Sequence, residues 1–222
     1  IGGTMTGFVL GGGGSRRVAV SLSAGPAASG ADSFLRLYAE TRAFARGRPV
    51  SARLTPDGRA ALFLRAPARG QAQALLETEV STGATRVLLD PAGEPGRELD
   101  AEERARLERQ HVTARGVTAF HLSRDGRTVL AEVAGRVVLV ERASGRSRAI
   151  PVAEGAATPR LSPDGRKVAF VRTGELYVLD LASGRARRVT TGGEAWLSHG
   201  LAEFVAQEEM ARFEGFWWSP DS

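Results

Sequence analysis

The chain has 222 residues, of which 42% are hydrophobic and 25% charged, and its 30 basic and 25 acidic residues give a formal net charge of +5. It contains no cysteine, which excludes disulfides, zinc–thiolate sites and thiol nucleophiles. The positive charge does not indicate a nucleic-acid partner, because only Lys167 is a lysine and the arginines are spread along the chain among Asp and Glu instead of clustering.

Metal and membrane functions are also disfavoured by the pattern of residues. The three histidines, His111, His121 and His199, do not have the spacing of a metal site, so we expect neither a metal nor a cofactor. No run of about 18 apolar residues is present, so we expect no membrane span.

The N-terminal segment allows two interpretations. Residues 15–31 combine two arginines, a mild apolar stretch and small residues, which is the layout of a secretory signal and suits the twin-arginine type. A disordered tail is the alternative, because the apolar part is weak and glycines precede it. A signal would make the protein periplasmic or secreted, and otherwise it would be cytoplasmic. Residues 1–31 are therefore left out of the predicted fold, which covers 32–222.

Two short motifs recur along the rest of the chain. The first motif is Ser or Thr followed by Asp two residues later, and its copies begin at Thr55, Ser123, Ser162 and Ser219. The second motif is Ser or Thr followed by Gly, at positions 82–83, 144–145 and 183–184. From Ser123 to Ser162 the period is 39 residues, and the second motif advances by the same step. Two motifs that keep one offset indicate a structural repeat.

The residues of the first motif favour a tight turn. Ser-Pro-Asp-Gly at 162–165 suits a type I turn, with Ser at the first position, Pro at the second and Gly at the fourth. Short apolar stretches lie on either side of each turn and predict four strands per unit. In the unit at 115–150 the predicted strands are 117–122, 128–132, 137–140 and 148–152, and in the next unit they are 158–161, 168–171, 176–181 and 187–190.

Four short antiparallel strands about every 40 residues are typical of a β-propeller blade. A β-sandwich is the alternative, but repeated turn chemistry at a fixed offset favours the propeller. A unit at 50–90 fits the same pattern, and one that opens near Glu194 begins without finishing. We therefore predict an all-β fold: a partial β-propeller of about three and a half blades with short helical insertions, a fragment of a larger ring.

The first interruption of the repeat is a charged arm at about 99–111. Asp100 and Glu103 have the spacing of a helix capping box, and few apolar residues follow them. A helix that is polar all round is solvated or bridges between domains. The simpler interpretation is a charged surface helix. The functional interpretation is an arm that holds arginines over a binding site.

The second interruption, at about 200–210, predicts a short helix. Leu201, Phe204 and Val205 form an i, i+3, i+4 apolar stripe, which Glu208 extends, and Glu209 follows it. Paired carboxylates beside apolar surface repel each other unless a cation neutralises them. That cation could be an arginine, a metal or a ligand amine, and the alternative is a pair that is simply exposed to solvent.

The stretch Gly200-Leu201-Ala202-Glu203-Phe204-Val205-Ala206-Gln207-Glu208-Glu209-Met210, with Gly215-Phe216-Trp217-Trp218-Ser219-Pro220-Asp221, resembles the dipeptidyl peptidase IV family of prolyl oligopeptidase-type serine peptidases. The resemblance is to the N-terminal propeller domain of bacterial members and runs from 34–38 to the last residue.

It implies that Glu208 and Glu209 bind the N-terminal amine of a peptide, from which X-Pro or X-Ala dipeptides are released. It also implies an arginine that binds the substrate carbonyl. Arg106 and Arg109 on the charged arm are the candidates, and Arg115 is a further alternative.

The catalytic residues of that family are not expected in this chain. The resemblance implies a nucleophile on a Gly-x-Ser-x-Gly elbow in a C-terminal α/β-hydrolase domain of the same polypeptide, and no such motif occurs here. We expect the chain to be inactive alone, to contribute peptide binding and substrate gating, and to belong to a full-length protein that the resemblance implies can form a homodimer. A non-catalytic propeller that binds other proteins is the alternative function.

The peptidase interpretation predicts what the gene encodes. The reading frame beyond Ser222 should complete the propeller and then encode Gly-x-Ser-x-Gly, followed by Asp and His. Sequencing the parent gene checks this, and a complete open reading frame without the elbow would exclude the enzymatic interpretation.

Overall fold

The structure is a computed structural model. It describes residues 29–45, 47–67, 72–93, 104–105, 108–109, 115–133, 135–153, 155–194 and 197–222. The chain divides into two compact units, of which the first ends at Phe44 and the second is Ala45–Ser222. Most of the predicted N-terminal segment, 1–28, lies outside the described residues.

The first unit contains a helix that the sequence analysis did not predict. Helix α1 (Ser29–Glu40) ends where the Thr41 hydroxyl donates a hydrogen bond of 2.6 Å to the carbonyl oxygen of Leu37. The rings of Phe34, Tyr38 and Phe44 lie 5.7–6.2 Å apart, and all three side chains are exposed. The helix was missed because its start lies in the segment 1–31 that was left out of the predicted fold, although Phe34, Leu35 and Tyr38 have helical spacing.

The second unit contains three groups of four antiparallel strands. The first group is β1 (Val50–Leu54), β2 (Ala60–Arg65), β3 (Ala72–Glu79) and β4 (Thr85–Leu89). The second is β5 (Arg115–Leu122), β6 (Thr128–Val133), β7 (Arg136–Glu141) and β8 (Ser147–Ala149). The third is β9 (Ala157–Leu161), β10 (Lys167–Arg172), β11 (Glu175–Asp180) and β12 (Ala186–Arg188).

Each group is a meander in which consecutive strands pair, as the repeat predicted. Short 3-10 turns follow the first two groups, at Pro91–Gly93 and Pro151–Ala153. A short parallel pairing of β3 with β5 joins the first two sheets. Beyond the third sheet, the described residues contain two isolated β-bridges and helix α2 (Phe204–Met210). The four-stranded units predicted from the sequence are confirmed, and the sheets do not close into a ring.

The recurrent Ser/Thr-Asp motif is a hydrogen-bonded turn between the first and second strands of each blade. In the third blade the Ser162 hydroxyl donates to Asp164 Oδ1 at 2.5 Å and accepts the backbone N–H of Lys167 at 2.9 Å. Asp164 Oδ1 also accepts the N–H of Arg166 at 3.0 Å. The corresponding pairs in the other blades are Thr55 with Asp57 and Ser123 with Asp125. The motif recurs because these side chains satisfy backbone groups that the turn leaves unpaired.

The apolar core lies between neighbouring blades. One cluster combines β2, β3 and β4 with β5, β6 and β7, and the other combines the second blade with the third. Five of its fully buried side chains are Leu62, Leu75, Val129, Val140 and Phe170.

A buried ion pair also joins the first two blades. Glu77 on β3 accepts from Arg86 Nη2 at 2.8 Å and from Arg142 Nη2, which belongs to the second blade, at 2.9 Å. The Glu77 side chain is only 9% exposed. Arg142 Nη1 also donates to the carbonyl oxygen of Gly126 at 3.0 Å. The nearly buried Glu77 is therefore neutralised by one arginine from each of the two blades.

The first strand of every blade contains an irregularity in register. The shifts occur between Val50 and Arg53 in β1, between Val117 and Ala119 in β5, and opposite Ala169 and Val171 in the pairing of β9. An extra residue in one strand bends it and changes the direction of the side chains that follow.

The turn carboxylates predict an acid-dependent loss of stability. The Ser162 hydroxyl, followed by the Arg166 N–H, lowers the pKa of Asp164 below its usual value of 3.8. The Ser123 hydroxyl and the Arg127 N–H act in the same way on Asp125. A lowered folded-state pKa gives stability that is present above the unfolded pKa and is lost as pH falls through the folded pKa.

Asp164→Asn should therefore lower the urea midpoint most at pH 7, and its difference from the wild type should shrink as the pH falls below about 4. Urea titrations of both proteins at several pH values measure this. A difference that is independent of pH would contradict an electrostatic role of the turn.

Candidate functional site

Helix α2 lies, along the chain, between two segments that pair with each other. Leu201 and Glu214 form an antiparallel bridge. The N–H of Ala202 donates to the carbonyl oxygen of Phe213 at 3.1 Å, and the N–H of Gly215 donates to that of Gly200 at 2.9 Å. We call this pairing of 200–202 with 213–215 the clasp. It fixes both ends of the excursion that carries the helix.

Two glycines allow the clasp to form. Gly200 has φ +87°, and a Cβ there would lie 2.7 Å from Cγ2 of Val171 on the third blade. A Cβ on Gly215 would lie 2.8 Å from the carbonyl oxygen of Leu201. Gly200 thus lets the clasp lie against the third blade, and Gly215 lets the two segments of the clasp approach each other.

The helix itself is seven residues long and packs through a small residue. It starts after Glu203, whose backbone is extended, and ends at Ala211 in the left-handed region with φ 50°. Ala206 is buried, whereas Phe204 and Val205 are 67% and 54% exposed. Phe204 and Val205, which the sequence analysis placed on an apolar stripe, therefore do not pack against the core. The helix is shorter than expected because Leu201 belongs to the clasp, which turns Ala206 inward.

Glu208 and Glu209 lie side by side in the last turn of α2, and both are exposed. Neither forms a hydrogen bond or ion pair with another residue in the described part of the chain. No described arginine supplies the cation that the sequence analysis expected beside them.

The charged arm reaches this helix at one point. Arg109 Nε donates to Oε1 of Gln207 at 3.0 Å, although the two residues are 98 positions apart. The Gln207 amide nitrogen in turn donates to the carbonyl oxygen of Ala202 in the clasp at 2.7 Å. Arg109 is half-buried, and its two terminal nitrogens have no hydrogen-bond partner within the described residues. Gln207 thus connects the arm, the helix and the clasp.

The three arginines that the sequence analysis proposed to bind the substrate carbonyl lie in different places. Arg109 is brought next to the residue that precedes Glu208. Arg106 lies outside the described residues, as does most of the predicted arm, of which only 104–105 and 108–109 are described as helical. Arg115 is exposed at the start of β5 and pairs there with Ala72.

A second polar cluster, which the sequence analysis missed, lies beneath the clasp. Arg160 on β9 forms an ion pair with Glu214 and contacts Nε2 of His121. Burial, followed by the charges of Arg160 and Arg53, lowers the pKa of His121 to about 3. A signal was present in the sequence: Arg53, His121 and Arg160 each stand two positions before the turn residue of their blade.

Within the part of the chain that the structure describes, no group of three or more His, Asp or Glu side chains is placed to hold a metal ion. The described helices also include none that is long and apolar enough to cross a membrane.

Comparison with protein families identifies the C-terminal part of the chain. Residues 123–222, which contain β6 to β12, the clasp and α2, match the model of the dipeptidyl peptidase IV N-terminal region. These residues are therefore similar to that N-terminal region. The resemblance predicted from the Glu-Glu helix and the Trp-Trp-Ser-Pro segment is thereby confirmed.

The fold of the chain is similar to that of one solved peptidase, and two further structures match less well. Porphyromonas gingivalis dipeptidyl peptidase 4 matches with a TM-score of 0.52 and 19% identity over 79% of this chain and 24% of its own. The tricorn protease matches with a TM-score of 0.45 and 14% identity, over 70% of this chain and 14% of its own. TolB from Acinetobacter baumannii matches with a TM-score of 0.43 and 20% identity, over 66% and 33%. The chain thus spans about a quarter of the length of the Porphyromonas structure, and the predicted partial propeller is confirmed.

The close approach at Gly200 predicts the effect of adding a methyl group. Gly184 is the matched control, because it also has positive φ (+68°) but has nothing within 4 Å of an added Cβ. Gly184→Ala should cost about 1–2 kcal/mol from backbone strain alone. Gly200→Ala should cost about 1–3 kcal/mol more, because the methyl group meets Val171. Urea unfolding measures both values, and equal losses would contradict the tight packing of the clasp.

Proposed function

We propose that this chain is the substrate-gating propeller portion of a serine-type dipeptidyl aminopeptidase. In this proposal Glu208 and Glu209 bind the N-terminal amine of the peptide. The observation that carries the proposal is the joint placement of two adjacent, exposed, unpaired carboxylates and an arginine held one residue away from them. The match of 123–222 to the model of the dipeptidyl peptidase IV N-terminal region supports it.

The chemistry of an amine fits this pair of carboxylates. A peptide N-terminus has a pKa of about 7.7–8.0, so it is largely an ammonium ion at neutral pH. Its three N–H groups can donate charge-assisted hydrogen bonds to two carboxylates, which are stronger than bonds between neutral groups. Binding would also relieve the repulsion between Glu208 and Glu209, which no described residue neutralises.

Arg109 is the arginine that we propose to bind the substrate carbonyl. Its Nε is fixed by Gln207, while the terminal nitrogens remain available to an acceptor. A guanidinium held at one nitrogen loses little further freedom on binding, which favours a directed contact. Arg106, on the same arm, remains the alternative, and Arg115 pairs with Ala72 at the start of β5.

The remainder of the proposal concerns the complete polypeptide. A C-terminal α/β-hydrolase domain would supply the nucleophile, its base and the orienting acid. The helix would limit the cleft so that X-Pro or X-Ala dipeptides are released from a free N-terminus. No metal or cofactor takes part in this chemistry. We further propose that the complete protein acts in the periplasm or outside the cell, and that it can form a homodimer.

A non-catalytic protein-binding module is the second candidate. The observation that favours it is the set of exposed apolar side chains on and after α2. Phe204, Met210 and Trp217 are 67%, 69% and 73% exposed, and apolar side chains of this size are enriched at protein interfaces. A module of this kind would not distinguish a free N-terminus from a blocked one.

The amine-binding role is tested by removing one charge at a time from the complete protein. Losing one partner of a desolvated charged contact costs about 2–5 kcal/mol. Glu208→Gln and Glu209→Gln should therefore each lower kcat/KM on an X-Pro chromogenic substrate by about 30-fold or more. Glu203→Gln is the matched control, because Glu203 is exposed on the same excursion and makes no side-chain capping bond.

A second substrate completes the test. The N-acetylated form of the same substrate should be cleaved poorly by the wild type, since it carries no ammonium group. Unchanged kcat/KM in both Gln variants would exclude amine binding by the pair. Equal binding of free and acetylated peptides, without hydrolysis, would instead establish the protein-binding alternative.

A further inference from the structure

Arg160 is the residue through which the third blade holds the clasp. Its Nη2 forms the ion pair with Oε1 of Glu214, the bridge partner of Leu201. Its backbone carbonyl oxygen accepts a hydrogen bond of 3.2 Å from Nε1 of Trp218, just beyond the clasp. One residue of β9 therefore contacts the segment at two points, by side chain and by main chain.

Arg160 lies near two carboxylates: it forms the ion pair with Glu214, and the charge of Glu132 partly offsets the lowering of the Arg160 pKa by burial. Its side chain is 24% exposed, and Nη1 donates to the carbonyl oxygen of Pro159 at 2.9 Å. Nη1 also contacts Nε2 of His121, and because a guanidinium can only donate, this nitrogen must be the acceptor. Since the lowered pKa keeps His121 neutral, His121 accepts from Arg160 without adding a charge that would compete for Glu214.

The backbone of β9 is bent where it presents Arg160. Ala157 pairs with Val171 and Arg160 with Ala169, so that two residues of β9 face one residue of β10. Thr158 in this bulge has φ 48°, an uncommon value for a β-branched residue, and its buried hydroxyl has no hydrogen-bond partner among the described residues. Strain of this kind persists where the surrounding structure maintains it.

We propose that Arg160 is a positioning residue that holds the Glu208–Glu209 helix in place through Glu214 and the clasp. As a statement about peptide binding, this rests on the amine-binding role proposed above. Arg160 touches no substrate. It fixes the base of the excursion, while Gln207 fixes its tip to the arm. Two independent anchors then limit the movement of a short helix that buries only Ala206.

The test uses the complete polypeptide and two measurements. Amide hydrogen exchange of 200–215 reports how firmly the excursion is held. The separate values of kcat and KM on an X-Pro substrate report its effect on binding and on chemistry. The variants are Arg160→Met, Arg160→Lys and Glu214→Gln, and Arg187→Met is the matched control because Arg187 is exposed on β12.

We expect Arg160→Met to raise exchange in 200–215 by ~10-fold or more, with little change in the strands of the first two blades. KM should rise by ~10-fold, while kcat changes by less than about twofold, since the catalytic groups are untouched. Arg160→Lys, which keeps the charge, should restore part of both effects. Glu214→Gln should reproduce the exchange effect, and adding it to Arg160→Met should cause little further change.

Three results would overturn the proposal. They are unchanged exchange in 200–215 in both Arg160→Met and Glu214→Gln, a rise in exchange spread over all blades, and an equal effect of Arg187→Met. Glu214→Gln serves alone if Arg160→Met does not fold.

If the excursion loosens locally but Glu208→Gln and Glu209→Gln remain fully active, the anchoring stands and the amine-binding role fails. If those two variants are inactive and Arg160→Met leaves KM unchanged, amine binding stands and the positioning role fails.

Discussion

Packing between successive four-stranded sheets is the interaction on which the rest of the structure depends. A short meander cannot bury both of its faces, so β6 and β10 become fully buried only where neighbouring blades cover them. The excursion with α2 depends on the same arrangement, because Gly200 rests against Val171 of the third blade. Stability and site geometry are therefore coupled: a change that distorts the third blade also displaces the acidic helix.

Polar contacts give this apolar packing its register. Glu77 accepts from arginines of two blades, and Arg142 continues to a main-chain carbonyl of the turn at Gly126. Arg160 makes an analogous connection from β9 to the preceding blade through His121 and to the following segment through Glu214. Apolar surfaces alone would allow the sheets to slide, whereas paired charges in a low-dielectric interface tolerate few relative positions.

Sequence reasoning recovered the features that depend on neighbouring residues. The turn at Ser162 was predictable because its hydrogen bonds span only five positions, and the Glu-Glu helix was predictable from its spacing. Contacts between distant positions were not: Arg109 meets Gln207, and Arg160 meets Glu214, only because the blades bring them together. The length of α2 was misjudged for the same reason, since pairing with 213–215 removes Leu201 from the helix. The equivalent positions of Arg53, His121 and Arg160 were visible in the repeat, but their meaning required the fold.

The closure of the excursion by main-chain hydrogen bonds has a consequence for evolution. The bonds between 200–202 and 213–215 do not depend on which side chains lie between them. Residues 203–212 can therefore diverge, shorten or be exchanged for a segment from another propeller while the blade below stays folded. If the segment binds the peptide as proposed, its ligand preference could change independently of the blades. The two glycines that permit the closure mark the boundaries at which such a graft should be made.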